Sequence, residues 1–360
     1  MPEESIPESA ATPHKRRPRY AGKNPRRFEE KYKEHDPQRY AETVEKVLAS
    51  GKTPAGTPRP IMVTEVLEVL APKPGDLVAD CTLGYGGHAV ELLNRIVPGG
   101  HLLGLDTDPL ELPKTEARLK ALGFGPETFT AQRSNFAGLP QILGEHFSSL
   151  TNAQAGQGIF GADIILADLG VSSMQFDNPE RGFSVKLAGP LDMRMNPERG
   201  ESASALLNRL KVDELAVLLE ENADEPKAAE LAAAIAGKAF TTTSELAKAV
   251  RKIFPYMATD ELELTLRRVF QTLRIKVNDE FGALENFLRI VPDCLKPGGR
   301  VAILTFHSGE DRRVKKAFEA SLRAGTYAEI SPEIIRPSHE ERNSNPRSAP
   351  AKLRWARRGE

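Results

Sequence analysis

Three glycines, Gly84, Gly86 and Gly87, follow a short apolar run ending in Asp80, within the segment DLVADCTLGYGGHAVELL. Glycine at such a point lets the backbone turn tightly and lets a ligand approach main-chain N–H groups at the carboxyl edge of a sheet. A second apolar run ends in Asp106, 20 residues after Gly86, where a carboxylate can accept hydrogen bonds from ribose hydroxyls. These residue types at this spacing suit the binding of a nucleoside-bearing cofactor. Two kinds of cofactor fit. A dinucleotide site favours G-x-G-x-x-G, with pyrophosphate at the helix N-terminus. The run here is G-Y-G-G-H, better suited to a nucleoside ligand with an amino-acid portion and no phosphates.

The surrounding elements must hold that loop in place. Apolar runs at 77–80, 101–106 and 163–168 each end in an acid, and the segments after the first two carry helical spacing. Alternation of this kind predicts an α/β fold, a doubly wound parallel sheet with helices on both faces. A helix is expected from Ile61, ended by Pro72, Pro74 and Gly75. From 177 to 278 the alternation stops and the pattern turns helical, with a capping box at TTSE, 242–245. About 100 residues are too many for a loop, so 177–278 is expected to be an inserted helical subdomain. A helix over 279–295, a turn at 296–299 and a strand at 301–306 then return to the sheet. Residues 1–57, rich in Pro, Glu, Lys and Arg, read as a disordered basic extension with one short helix at 40–48. The core is therefore expected to be discontinuous, 58–176 and 279–360.

With 49 Lys and Arg against 50 Asp and Glu, the net charge of −1 does not advertise a nucleic-acid binder. The distribution does more: 14–39 and 336–358 are basic, and such arms neutralise phosphates and release counterions. No apolar run approaches the roughly 20 residues of a membrane span, and the first residues lack the apolar core of a secretory signal. Cytoplasm is the expected location. Cys81 and Cys294, the two cysteines, lack metal-ligand spacing, so neither a disulfide framework nor a zinc site is expected. Nothing in the pattern speaks to oligomeric state.

Longer blocks carry a resemblance. ADLGVSSMQFDNPERGFSVKLAGPLDMRMNP at 167–197, VFQTLRIKVNDE at 269–280, GGRVAILTFHSGEDRRVKKAF at 298–318 and NPRSAPAKLR at 345–354 are similar to the signature segments of the bacterial RsmH (MraW) family, over roughly residues 58–355. The resemblance implies a class I S-adenosylmethionine-dependent methyltransferase with a Rossmann-like sheet. It also implies methyl transfer to the exocyclic N4 of one cytidine of small-subunit (16S) ribosomal RNA, at the decoding region. Its partner would be the small ribosomal subunit, with no membrane involved.

Carried over residue by residue, the family's S-adenosyl-L-methionine contacts fall on Gly86, Gly87, His88, Asp106, Phe136, Asp168 and Gln175. Asp168 is also the first candidate to take the amine proton. Ser172 and Ser173 are candidates to orient the base, and His307, after the last parallel strand, is a candidate site residue. Arg181, Arg347, Lys352 and Arg354 are expected phosphate contacts. The chain departs from the family pattern at Pro58, at Ala188, at 224–226, at Gly309 and at 349–350, which bears on RNA contacts rather than on the cofactor loop. Two other functions compete: methylation of DNA or protein, and assembly of ribosomal particles by a cofactor-binding protein without turnover.

Overall fold

The computed structural model describes residues 59–150 and 161–360, with no side-chain description for 147–150. The expected N-terminal extension, its short helix at 40–48 and Pro58 lie outside the described residues. The chain enters through α1 (Val63–Leu70) and β1 (Leu77–Asp80), and then alternates through α2 (Gly87–Ile96), β2 (His101–Asp106), α3 (Leu112–Ala121), β3 (Phe129–Arg133), α4 (Leu139–Leu150) and β4 (Ala162–Asp168). Seven strands form one sheet in the order β3-β2-β1-β4-β5-β7-β6, with β5 at Leu295–Thr305, β6 at Tyr327–Ile330 and β7 at Lys352–Arg358. The first five are parallel, and β7 runs antiparallel to both of its neighbours. This is the doubly wound, Rossmann-like class I sheet that the alternation and the resemblance imply.

Successive strand residues serve opposite faces. Ile165, Ala167, Val301 and Ile303 join a core with Leu284, Phe287 and Phe318. Their neighbours Ile164, Leu166, Ala302 and Leu304 join a second core with Val66, Leu92 and Leu93. A strand buried on both faces needs apolar residues at every position. LVAD in β1 is accordingly buried throughout.

The chain order reverses between β1 and β4, so their C-terminal loops diverge and open a crevice. Between β4 and β5 lie α5 (Ser173–Asp177), α6 (Ala203–Arg209), α7 (Val212–Ala223), α8 (Ala228–Ile235), α9 (Thr243–Ile253), α10 (Thr259–Asn278) and α11 (Glu280–Ile290). Residues from Phe183 to Leu273 bury a third apolar cluster that includes Leu219, Leu231, Leu246 and Phe270. At the start of α9 the Thr242 hydroxyl accepts from Glu245 N, while the Glu245 carboxylate accepts from Thr242 N, a reciprocal cap.

One boundary differs from expectation. The helix stops at Ile290 and a short 3-10 turn, Val291–Cys294, carries Pro292. The strand starts at Leu295 instead of 301 because LysProGlyGly is a bulge within it: the register jumps from Ala162↔Leu295 to Ile164↔Arg300, with Gly298 at φ 74°. A bulge glycine and a turn glycine look alike in sequence. After β5 come α12 (Ser308–Arg323) and α13 (His339–Ser344).

Candidate active site

The glycine loop sits at the crevice. Gly84 N–H donates to Asp106 Oδ2 at 2.8 Å, and the Thr115 hydroxyl donates to Gly84 O at 2.6 Å. Gly86 has φ 74°, and a Cβ there would lie 3.0 Å from Thr115 Cγ2, so both backbone conformation and space call for glycine. Across the crevice, Asp168 N–H donates to the Thr82 hydroxyl at 2.6 Å, which ties the ends of β1 and β4 together.

Carboxylates and one imidazole crowd this end. Burial pushes the Asp80 carboxyl up to about 6, opposed by the attraction of His88. Burial likewise raises Asp106 to about 6, opposed by the N–H groups of Asp108 and Gly84. His88, on the first turn of α2, is 7% exposed, so it belongs to the wall and not to open surface. Burial lowers its affinity for a proton, but Asp168 and Asp80 outweigh that and the net shift is upward. Its Nε2 is buried without a hydrogen-bond partner, 3.6 Å from Asp168 Oδ2.

A cavity of about 650 Å³ runs from this loop, past Asp106, Phe136 and Asp168, to the α10 residues Arg267, Arg274 and Asn278. Volumes of this order suit a small-molecule cofactor site. Phe136, just after β3, lies against Phe287 with ring centroids 5.0 Å apart.

The other expected site residues are distributed unevenly. Ser172 and Gln175 bond reciprocally: the Ser172 hydroxyl accepts from Gln175 N, and Gln175 Oε1 accepts from Ser172 N. Gln175 is buried, and its Nε2 donates to Asp108 Oδ2 at 2.7 Å. The Ser173 hydroxyl accepts from Arg347 Nη1 at 2.6 Å. His307 caps α12 behind the wall, 3.1 Å from Glu310, and Glu310 rather than His307 lines the cavity.

Glu280, His307 and Glu310 bring potential metal-ligand atoms within 4.8 Å of one another. Both Glu280 oxygens, however, are held by Arg274 at 2.8 Å. Glu310 accepts from Phe306 N–H at 2.8 Å. Local cations and donors already balance these charges.

Two expected phosphate contacts are corrected by their burial. Arg181 Nη1 donates to Asp108 Oδ2 at 2.7 Å, with side chains 7% and 1% exposed. Arg354, equally buried, donates to Asp311 Oδ1 at 2.7 Å. Both guanidiniums balance an interior carboxylate. Asp108, absent from the expected residues, is the hub of the first arrangement; its only sequence signal is a second acid two residues after Asp106. At Gly309 a Cβ would stand 2.7 Å from Phe281 Cζ. The Phe281 ring therefore fills the space that a longer side chain would need there.

The pattern of the MraW methylase family matches residues 57–359. The chain belongs to the MraW methylase family. It is 48% identical over 352 residues to ribosomal RNA small subunit methyltransferase H 1 of Lachnoclostridium phytofermentans, covering 95% of this chain and 93% of that one. It is 49% identical over 350 residues to ribosomal RNA small subunit methyltransferase H 2 of Alkaliphilus metalliredigens, covering 95% and 97%. A third relative, ribosomal RNA small subunit methyltransferase H 1 of Agathobacter rectalis, is 46% identical over 356 residues, covering 96% and 98%. Within this MraW chain the glycine loop, the strand-end acids and the α10 face line one continuous cavity.

Proposed function

We propose that this protein transfers a methyl group from S-adenosylmethionine to small-subunit ribosomal RNA, on the exocyclic N4 of a specific cytidine in the decoding region. The observation that carries this reading is the single cavity joining Gly86, His88 and Asp106 to the helical insert. It offers one end suited to a nucleoside cofactor and another suited to an incoming base. Membership of the MraW methylase family and the names of the relatives support the substrate class. Among the described residues no helix is long and apolar enough to cross a membrane. A cytoplasmic location belongs to this reading, since ribosomal particles are its substrate.

The residues fit the cofactor. The orphaned His88 Nε2 and the loop N–H groups suit its amino-acid part, Asp106 its ribose hydroxyls, and Phe136 its adenine face. Gln175 acts by fastening the loop through Asp108. When bound, S-adenosylmethionine supplies a methyl group already activated on a sulfonium. The protein's task is to align the acceptor and exclude water. A cytosine amine is a poor nucleophile because its lone pair is delocalised into the ring. A hydrogen-bond acceptor at the amine favours the partly positive nitrogen that develops during attack. Asp168 serves there: it stands at the end of β4 on the cavity lining, its Oδ2 3.6 Å from His88 Nε2 and its side chain 27% exposed. It then takes the amine proton or passes it to water. Ser172 and Ser173 act by positioning the Asp168–Gln175 loop. Residues 177–278 serve RNA recognition, since the target base has to be splayed out of structured RNA to reach the cavity.

The test is transfer of labelled methyl to purified small subunits that lack the modification, followed by nucleoside analysis. Label recovered as N4-methylcytidine supports the reading. Label absent from the RNA, or present only on protein, defeats it.

A further inference from the structure

Along α10, Arg274 and Asn278 lie seven and eleven residues after Arg267, which at about 100° per residue puts all three on one side of the helix. All three line the cavity. Arg267 is exposed, whereas Arg274 is only 17% exposed and Asn278 is held by Met193 O and Arg274 O. The row thus runs from rim to interior, with about 10 Å of helix between the two arginines.

Their charges are handled differently. Arg274 is neutralised by both oxygens of Glu280. Arg347, also on the lining, is neutralised by Asp177 at 2.8 Å. Arg267 has neither an ion pair nor a hydrogen bond among the described residues. Of the acids nearest it in α10, Glu263 pairs with Arg251 and Glu261 with Lys227, while the neighbouring Arg268 takes Glu225. An uncompensated guanidinium is therefore left at the entrance of the cavity, one end of a row whose inner arginine is already paired.

We propose that Arg267 binds a phosphate of the nucleotide whose base enters the cavity, anchoring the RNA backbone at the rim while the base lies deeper along α10. This rests on the RNA-methylation reading above. A guanidinium presents its donors in a fork that matches two phosphate oxygens. Such a contact fixes position without reading sequence, and suits a site whose chemistry depends on alignment. The anchor adds binding energy in the ground state and the transition state alike, so its loss belongs in KM rather than in kcat.

The experiment compares the full-length protein with Arg267→Gln and Arg267→Lys on small subunits lacking the modification, across a range of potassium chloride concentrations. Arg267→Gln is expected to raise KM by about ten- to hundredfold at low salt, the usual worth of a hydrogen bond to a charged group, with kcat little changed. It should also flatten the salt dependence of kcat/KM by roughly 0.7–0.9 of a logarithmic unit per decade, one phosphate contact fewer. Arg267→Lys should retain most of the salt slope. S-adenosylmethionine affinity by calorimetry and the melting temperature should match the parent protein. An unchanged KM and slope would overturn the proposal. So would a loss of cofactor affinity or stability in both variants, which would make Arg267 structural. If the parent protein transfers no methyl to RNA, the functional reading fails on its own. Retention of subunits on filters by parent and Arg267→Gln would then still decide whether Arg267 contacts phosphate.

Discussion

Gln175 and Asp108, 67 positions apart, meet through a 2.7 Å hydrogen bond from Nε2 to Oδ2. The bond joins the loop after β4 to the loop after β2, on either side of the switch-point crevice. Arg181 reaches the same oxygen at 2.7 Å and uses Nη2 to hold Arg194 O and Met195 O. The first segment of the insert is thereby tied to the cofactor side of the cavity.

Asp108→Ala should therefore be costly. It would strand the Arg181 guanidinium in the interior, and breaking a buried pair from one side costs about 3–5 kcal/mol. Gln175→Ala, which removes a neutral donor to Asp108 and the acceptor of Ser172 N–H but strands no charge, should cost less, about 1–2 kcal/mol. Urea unfolding of both variants checks the order; equal losses would mean that the Arg181 charge finds another partner.

Asp80 should make the free protein less stable at neutral pH than in mild acid. Burial raises its carboxyl from 3.8 to about 6, so the folded form binds the proton more tightly than the unfolded chain. The stability from this group is full below about pH 4 and is lost as pH rises through about 6. Asp106 adds a shift of the same sign. Asp80→Asn keeps an oxygen for Thr82 N–H and removes the charge. It should stabilise the free protein at pH 7.5 by on the order of 1–2 kcal/mol and flatten the profile between pH 4 and 6. Urea midpoints across that range supply the measurement, and a destabilised variant at pH 7.5 would contradict it.

Asp106→Ala should weaken S-adenosylmethionine binding by about 1–3 kcal/mol, since hydrogen bonds to the ribose would go. Part of the loss would come from the loop itself, because Gly84 N–H and Asp108 N–H both donate to this carboxylate. Asp106→Asn retains an acceptor for one of them and should fall between the parent and the alanine variant. Isothermal calorimetry distinguishes the three; an unchanged affinity in the alanine variant would remove Asp106 from the ribose site.

The centre of the sheet was legible because three of its parallel strands, β1, β2 and β4, are short apolar runs stopped by an acid, Asp80, Asp106 and Asp168; β3, FTAQR, is half-exposed and ends in Arg133, so it carries no such signal. The glycine loop was legible for the same local reason. The substrate side was not. Arg181, Arg354 and Arg267 are the same residue type in similar polar surroundings in sequence, yet two are buried against carboxylates and one is exposed at the rim. What separates them is which helix face or strand edge meets the sheet, a tertiary fact that local pattern does not carry. Asp108 was hidden likewise: its partners lie 67 and 73 positions away.

Arg354 offers a direct contrast with Arg267. Its guanidinium donates to Asp311 at 2.7 Å inside the fold, and Lys352 approaches the same carboxylate at 3.3 Å. Those cations and hydrogen bonds overcome the effect of burial and hold Asp311 below the usual carboxylate range. Arg354→Ala should cost about 3–5 kcal/mol in urea unfolding, somewhat less where Lys352 compensates. It should leave the salt dependence of RNA binding as it was, because no phosphate contact is removed. A flattened salt slope in an otherwise stable Arg354 variant would return this residue to the RNA interface.

The substrate state is the sharpest expectation. The α10 face and the segment at 346–350 both border the cavity, so remote parts of a shaped RNA have protein to bind against. A free cytidine or a short oligonucleotide presents little of that surface and supplies little remote binding energy for aligning the amine. Assembled small subunits should therefore be methylated far faster than an oligonucleotide of the same local sequence. The methyl should lie on the amine. Ring-carbon chemistry needs a nucleophile such as a thiolate to attack the base, and neither cysteine qualifies. Both are buried, and burial pushes the Cys81 thiol well up and Cys294 up to about 12, which disfavours the nucleophilic thiolate at both. Digestion and mass spectrometry of labelled RNA should return N4-methylcytidine. Recovery of 5-methylcytidine would refute the chemistry, and equal rates on oligonucleotide and subunit would refute the role given to the insert.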